Sequence, residues 1–188
     1  MPDTQAHDSR RILDARQMDR VIRRMAGEIL EQNQGAGGLI LVGIRTRGVP
    51  LAEALAKEIG RVEGTEIPRG ILDITLYRDD LSVIGPQPIV RPTSLQEPID
   101  DRVVVLCDDV LFTGRTVRAA LDALVDYGRP RAVRLAVLVD RGHRELPIQA
   151  DFVGKTVETT DDDVVKVAFE ETDGRQEVML LHKFRAPK

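Results

Sequence analysis

Apolar residues recur along the chain in three rhythms, and the rhythm changes at glycines and prolines. Met18, Val21, Ile22, Met25, Ile29 and Leu30 fall at helical spacing with Arg20, Arg23, Arg24 and Glu28 on the other face, so residues 14–33 predict an amphipathic helix. GAGG at 35–38 stops it. LILVGI, 39–44, is a continuous apolar run, as expected of a strand covered on both faces, and VPLAEALAKEIGRV after it has helical composition with Pro50 tolerated in the first turn. GILDITLY, 70–77, predicts a further strand. RDDLSVIGPQPIVRPTSLQEP, with Pro86, Pro88, Pro92 and Pro98, predicts a long loop or loose hairpin of the kind that carries function. VVVLC opens the next strand, TVRAALDALVDYG the next helix, and AVRLAVLVD, 132–140, another buried strand. The tail, DVVKVAFEE, TDGR, QEVMLLHKF, predicts a hairpin around Asp173-Gly174. Strands alternating with helices imply an α/β fold: a mostly parallel sheet flanked by helices on both faces, followed by a C-terminal β-hairpin.

Composition narrows the picture. The length of 188 residues suits one domain, expected over 12–188, after a polar start (MPDTQAHDSRR) that reads as a disordered lead-in over 1–11. Aromatics make up 3% of residues and Trp is absent, so stacking platforms are scarce. The single Cys107 excludes an intrachain disulfide framework and fits a reducing, cytoplasmic setting. No apolar run approaches the roughly 20 residues of a membrane span. A formal net charge of -4 argues against indiscriminate nucleic-acid binding but leaves room for a local basic face.

The chemistry concentrates in VVVLCDDVLFTGRTVRAAL, 103–121. Asp108 and Asp109 stand at the carboxyl end of a strand predicted to be parallel, where ligands bind in such sheets. Thr113, Gly114, Arg115 and Thr116 would present backbone amides and hydroxyls at a helix start, a setting that suits a phosphate. Carboxylates do not suit a phosphate, but they do accept hydrogen bonds from a sugar diol, so a ribose 5-phosphate unit reconciles the two halves. The competing reading is an aspartate that caps the helix or a pair that solvates a strand end. No Walker lysine follows the glycine and no G-x-G-x-x-G is present, which removes the main support for ATP hydrolysis or dinucleotide binding. Cys107 reads as a small core residue rather than a nucleophile.

The run VVVLCDDVLFTGRT resembles the phosphoribosyl pyrophosphate signature of the type I phosphoribosyltransferases. LVGIRTRGVPLA, LDITLYRDDL, ALDALVDYGRPR and LAVLVDRGHRELPI are similar to the PyrR family, bifunctional pyrimidine operon attenuators with uracil phosphoribosyltransferase activity. The resemblance implies the type I phosphoribosyltransferase fold with a flexible loop, and conversion of uracil and phosphoribosyl pyrophosphate to UMP and pyrophosphate with Mg²⁺ held mostly by substrate oxygens and water. It implies that Asp108 and Asp109 hold the ribose hydroxyls, catalytically favouring positive charge on the sugar, and that Val110, Leu111, Phe112, Thr113, Gly114, Arg115 and Thr116 surround the 5-phosphate. Thr46, Arg47 and Gly48 match the family's pyrophosphate loop, where a strained or cis peptide is usual. Tyr77, Arg78, Asp79 and Asp80 open the flexible loop, with Arg91 as a further pyrophosphate contact. Val139, Asp140 and Arg141 mark the base loop, and Val165 a contact from the hairpin.

The resemblance also implies UMP-dependent binding of pyrimidine operon mRNA. Arg20, Arg23, Arg24, His143, Arg144 and Lys155 are the candidate contacts; the competing reading is a solvated helix face and a charged surface loop. Family members commonly carry His where this chain has Gly27 and Arg where it has Gln149, and Asp161, Asp162 and Asp163 add negative charge nearby. A UMP sensor with little catalysis and a salvage enzyme without RNA binding therefore stay open as alternatives. A homodimer or homotetramer is expected, with no membrane partner.

Overall fold

A computed structural model describes residues 9–79 and 90–182. Strand β1 (Ser9–Leu13) leads into α1 (Ala15–Asn33), which opens with a reciprocal cap: Gln17 N donates to Asp14 Oδ1 at 2.8 Å and Asp14 N to Gln17 Oε1 at 2.9 Å. Its apolar stripe, including Met18, Ile22, Met25 and Ile29, is buried. The chain continues through β2 (Leu39–Ile44), α2 (Gly48–Glu63), β3 (Arg69–Leu72), β4 (Ser94–Leu95), β5 (Val103–Leu111), α3 (Arg115–Leu124), β6 (Ala132–Asp140), β7 (Phe152–Thr156), β8 (Asp163–Ala168), α4 (Glu170–Asp173) and β9 (Glu177–His182).

The main sheet has the order β4-β3-β2-β5-β6-β7, parallel except for β4. Residues of β2 divide between its two faces: Leu39 and Leu41 pack with α1 and α2, whereas Ile40, Val42 and Ile44 pack with α3. Both faces are covered, which is why LILVGI shows no polar alternation. The neighbouring strands β2 and β5 send their following helices to opposite faces, α2 to one and α3 to the other. Their carboxyl ends therefore diverge into a crevice at a topological switch point. A second, antiparallel sheet of order β1-β9-β8 carries the C-terminal hairpin.

Three expectations change and one gains detail. Residues 9–11 of the expected lead-in pair with β9, an edge that a five-residue strand satisfies without showing a readable period. The strand expected over 70–77 ends at Leu72, because the Asp73 carboxylate accepts from Thr75 N at 2.8 Å and turns Thr75–Tyr77 into a 3-10 turn. Leu95 and Ser94 of the proline-rich stretch form β4 against β3. The expected C-terminal hairpin forms from β8 and β9, joined through α4, whose C-cap Gly174 lies in the left-handed region, φ 65°.

Candidate active site

Asp108 and Asp109 lie within β5, two residues before its end, so the sheet itself fixes their backbone. Asp108 is only 7% exposed. Asp108 Oδ1 accepts from Asp109 N at 3.0 Å and Asp109 Oδ1 from Val110 N at 2.9 Å. Burial pushes both carboxyls above the ordinary carboxylate range, and for Asp108 the neighbouring Asp109 charge adds to it. Such a pair gains most from a ligand that donates hydrogen bonds or develops positive charge. Burial also pushes the Cys107 thiol up, so it is an inert core group.

The loop after β2 lies against this strand. A Cβ at Gly48 would sit 2.0 Å from the Cys107 carbonyl oxygen and 3.2 Å from Asp108 Cα, so only glycine lets the chain pass there. That approach sets Arg47 in one cleft with Asp109. The Arg45–Thr46 peptide is cis. Arg47 Nη1 reaches Asp173 Oδ2 of α4 at 2.5 Å, and this bond holds the Asp173 carboxyl down at about 2. A cleft of about 600 Å³ is lined by Arg47, Asp109, Val165, Lys166, Asp173 and Met179 among others. Val165 of the hairpin thus shares a cleft with residues of the core loop and β5.

The Thr-Gly-Arg-Thr turn stands at the start of α3. Gly114 takes φ +91° at the N-cap and offers no side-chain cap; Arg115 N donates to Thr113 Oγ1 at 3.3 Å, and the first-turn amides beyond it are left for an anion. Its missing Cβ does not face that opening. A Cβ would meet Ile148 Cβ at 3.3 Å and Leu146 Cβ at 3.5 Å, so glycine serves the turn's conformation and packing more than the approach of a phosphate. Thr113, Thr116 and Arg115 line a hollow of about 230 Å³ with Arg78 and Asp79. Arg115 bonds to Glu145 at 2.5 Å and to Asp79 at 3.0 Å, so its charge is already matched.

The loop root and the base loop are braced in ways the sequence did not announce. Asp79 also pairs with Arg118 at 2.6 Å, and Tyr77 bonds to Asp126 through its hydroxyl. Buried Asp73 ties residues far apart in sequence: Oδ2 accepts from Arg91 N at 2.7 Å, while Asp73 N donates to Thr93 Oγ1 at 3.0 Å. Arg91 is therefore fixed by its backbone at this anchor. Asp80 lies outside the described residues.

Val139 and Asp140, expected in the base loop, end β6 instead: Val139 is wholly buried and paired with Val110 of β5 and Lys155 of β7, so the loop itself starts at Arg141. Asp140 is taken up by Gly142 N and Arg144. Arg141, 7% exposed, donates to Asp163 O and Thr160 O, each at 2.9 Å, with its guanidinium 4.0 Å above the Phe112 ring. Its side chain is a brace beneath the loop.

Similarity with known proteins agrees with this geometry. Residues 8–172 match the family model described as the phosphoribosyl transferase domain. The bifunctional protein PyrR of Deinococcus radiodurans is 58% identical over 170 residues, covering 90% of this chain and 93% of that protein. The chain belongs to the PyrR family of phosphoribosyltransferases. The PyrR of Chloroflexus aurantiacus is 59% identical over 174 residues, covering 93% of this chain and 96% of that one. In fold, the chain is similar to hypoxanthine phosphoribosyltransferases: one from Trypanosoma cruzi at TM-score 0.71, 16% identity and coverage of 97% and 95%, and one from Staphylococcus aureus at TM-score 0.67, 19% identity and coverage of 93% and 92%.

The basic residues expected on the PyrR-type RNA face separate into two groups. Arg144 donates to Phe112 O at 3.0 Å, Gly142 O at 3.1 Å, Ile148 O at 2.9 Å and Asp140 Oδ2 at 2.5 Å. His143 lies 2.7 Å from Thr159 O and 3.0 Å from Asp161. These two therefore differ from free surface cations, because loop carbonyls and carboxylates claim them. Arg24 divides its guanidinium between Glu28 and the β7 carbonyls of Val153 and Gly154. Arg23 lies 3.8 Å from Glu58, and Arg20 and Lys155 are exposed.

Proposed function

We propose that this phosphoribosyltransferase joins uracil to the ribose of phosphoribosyl pyrophosphate, giving UMP and pyrophosphate. The observation that carries the reading is the pairing, at one strand end, of a buried and a half-buried carboxylate with a helix start whose N-cap glycine has no side chain to cap it. Asp108 and Asp109 take the ribose hydroxyls and stabilise the positive charge that grows on C1 as pyrophosphate departs. The 112–116 turn takes the 5-phosphate, Thr46, Arg47 and Gly48 the pyrophosphate, and backbone groups at Asp140 and Arg141 with Val165 the base, with Val139 behind them in β6. Tyr77, Arg78, Asp79 and Arg91 belong to the loop that excludes water from the activated sugar, and Asp80 completes it in this reading.

Mg²⁺ is the cation this reading requires, and it would be held mostly by substrate oxygens and water. Among the described residues no group of three or more His, Cys, Asp or Glu could hold a metal, whereas the oxygen-only donors of Asp108 and Asp109 suit a hard cation that keeps most of its water. A homodimer or homotetramer in the cytoplasm completes the proposal; among the described residues no helix is long and apolar enough to cross a membrane. Incubation with uracil, phosphoribosyl pyrophosphate and Mg²⁺ tests it: UMP and pyrophosphate should form in equal amounts, and use of a purine instead would defeat the base assignment.

UMP-dependent binding of pyrimidine operon mRNA is the second activity, favoured by relatives named bifunctional and by Arg20, Arg23, Arg24 and Lys155 on α1 and the adjoining β7. Filter binding of a leader transcript across a salt series tests it, since each phosphate contact adds about 0.7–0.9 to the logarithmic salt slope.

A further inference from the structure

We propose that Asp173 is an internal anion that occupies Arg47 in the empty site and competes with pyrophosphate for it, so that it sets the ease of pyrophosphate release. The proposal rests on the reading of Arg47 as a pyrophosphate contact. Arg47 belongs to the loop between β2 and α2, and Asp173 ends α4 between the hairpin strands; their 2.5 Å bond joins core and hairpin in the 600 Å³ cleft. Asp173 Oδ2 is fixed independently of Arg47. Phe169 N donates to it at 2.9 Å and the Thr172 hydroxyl at 3.0 Å, so the carboxylate keeps its place when the guanidinium leaves.

Arg47 also feels the charge of Asp109, which means that one cation answers two acids. Pyrophosphate arriving beside Arg47 must displace Asp173 or share the guanidinium with it, and in either case it meets a like charge. The Coulomb sign is fixed: Asp173 weakens the binding of a polyanion at this place, whatever the exact pose. When pyrophosphate departs, re-formation of the Arg47–Asp173 pair leaves no bare cation behind. Asp173 is thus a positioning residue that trades pyrophosphate affinity for release. UMP carries only the 5-phosphate, assigned to the 112–116 turn, and falls outside this competition.

Calorimetric titration with magnesium pyrophosphate and with UMP, on the full chain and on Asp173→Asn and Arg47→Ala, tests the proposal. Asparagine keeps an acceptor oxygen for Phe169 N and Arg47 but removes the charge. Asp173→Asn is expected to bind pyrophosphate about 3–10-fold tighter, the change that removing one nearby like charge produces, with UMP affinity unchanged. In steady state, KM for phosphoribosyl pyrophosphate should fall and product inhibition by pyrophosphate should strengthen. Unchanged or weaker pyrophosphate binding in Asp173→Asn, with weaker binding in Arg47→Ala, overturns the competition and leaves the site reading standing. Undiminished pyrophosphate binding in Arg47→Ala overturns the premise itself. Should Asp173→Asn not fold, Asp173→Ser, which also removes the charge while keeping a hydroxyl acceptor for Phe169 N, must still tighten pyrophosphate binding, and failure to do so counts equally against the proposal.

Discussion

Replacing Arg144 by methionine separates a brace from a surface contact. The guanidinium makes four hydrogen bonds, to carbonyls of Phe112, Gly142 and Ile148 and to the Asp140 carboxylate, with its side chain 22% exposed. Those acceptors belong to the phosphate turn, the base loop and the end of β6, so one side chain locks three segments. A net contribution of ~1 kcal/mol per neutral hydrogen bond, somewhat more for the charged one, reduced because water reaches part of the site, gives about 2–4 kcal/mol for Arg144→Met. Urea unfolding of the unliganded protein should show that loss. Lysine, with a single ammonium in place of a fork, should recover only part of it. UMP affinity should fall in parallel, since the 112–116 turn loses its support. Unchanged stability and UMP binding, with RNA binding alone impaired, would refute the brace and return Arg144 to the surface.

Gly114→Ala should destabilise the unliganded fold by about 1–2 kcal/mol, because φ +91° is poor for an L side chain and the new Cβ presses on Ile148 at 3.3 Å; thermal unfolding checks it, and a neutral effect would mean that the turn re-forms freely. Asp108 and Asp109, raised by burial, stabilise the fold at acid pH and lose that contribution as pH rises through their elevated pKa values. Asp108→Asn should therefore gain stability relative to the parent at neutral pH and not at pH 4, and melting curves with a pH-independent difference would contradict this. The sign reverses for Asp173, whose depressed carboxyl stabilises above the ordinary range and loses that contribution as pH falls towards about 2, so Asp173→Asn should flatten the acid limb of stability.

The parts of this site legible in the sequence are those held by local chemistry. Asp108 and Asp109 stood out because charges interrupt a buried strand, and Thr113–Thr116 because a glycine precedes a helix. Asp73 was legible only as an acid in an apolar run; its partners, Arg91 and Thr93, lie across a stretch whose path no periodicity reveals. Asp173 meets Arg47 from 126 residues away, and nothing local marks either as the other's partner. Cations misled for a related reason. Arg144 reads as an exposed contact because it is charged, and Arg141 as a base contact, yet backbone carbonyls, which sequence composition cannot display, claim both. Short β1 and β7 escaped because five residues hold too few alternations to count.

Steady-state formation of UMP by Asp108→Asn and Asp109→Asn tests the central claim most directly. If the carboxylates act on positive charge developing at the ribose, each variant should lose about 10²–10³-fold in kcat while UMP affinity changes far less, since an interaction made chiefly in the transition state is worth ~2–4 kcal/mol. Wild-type kcat in both variants would contradict the account.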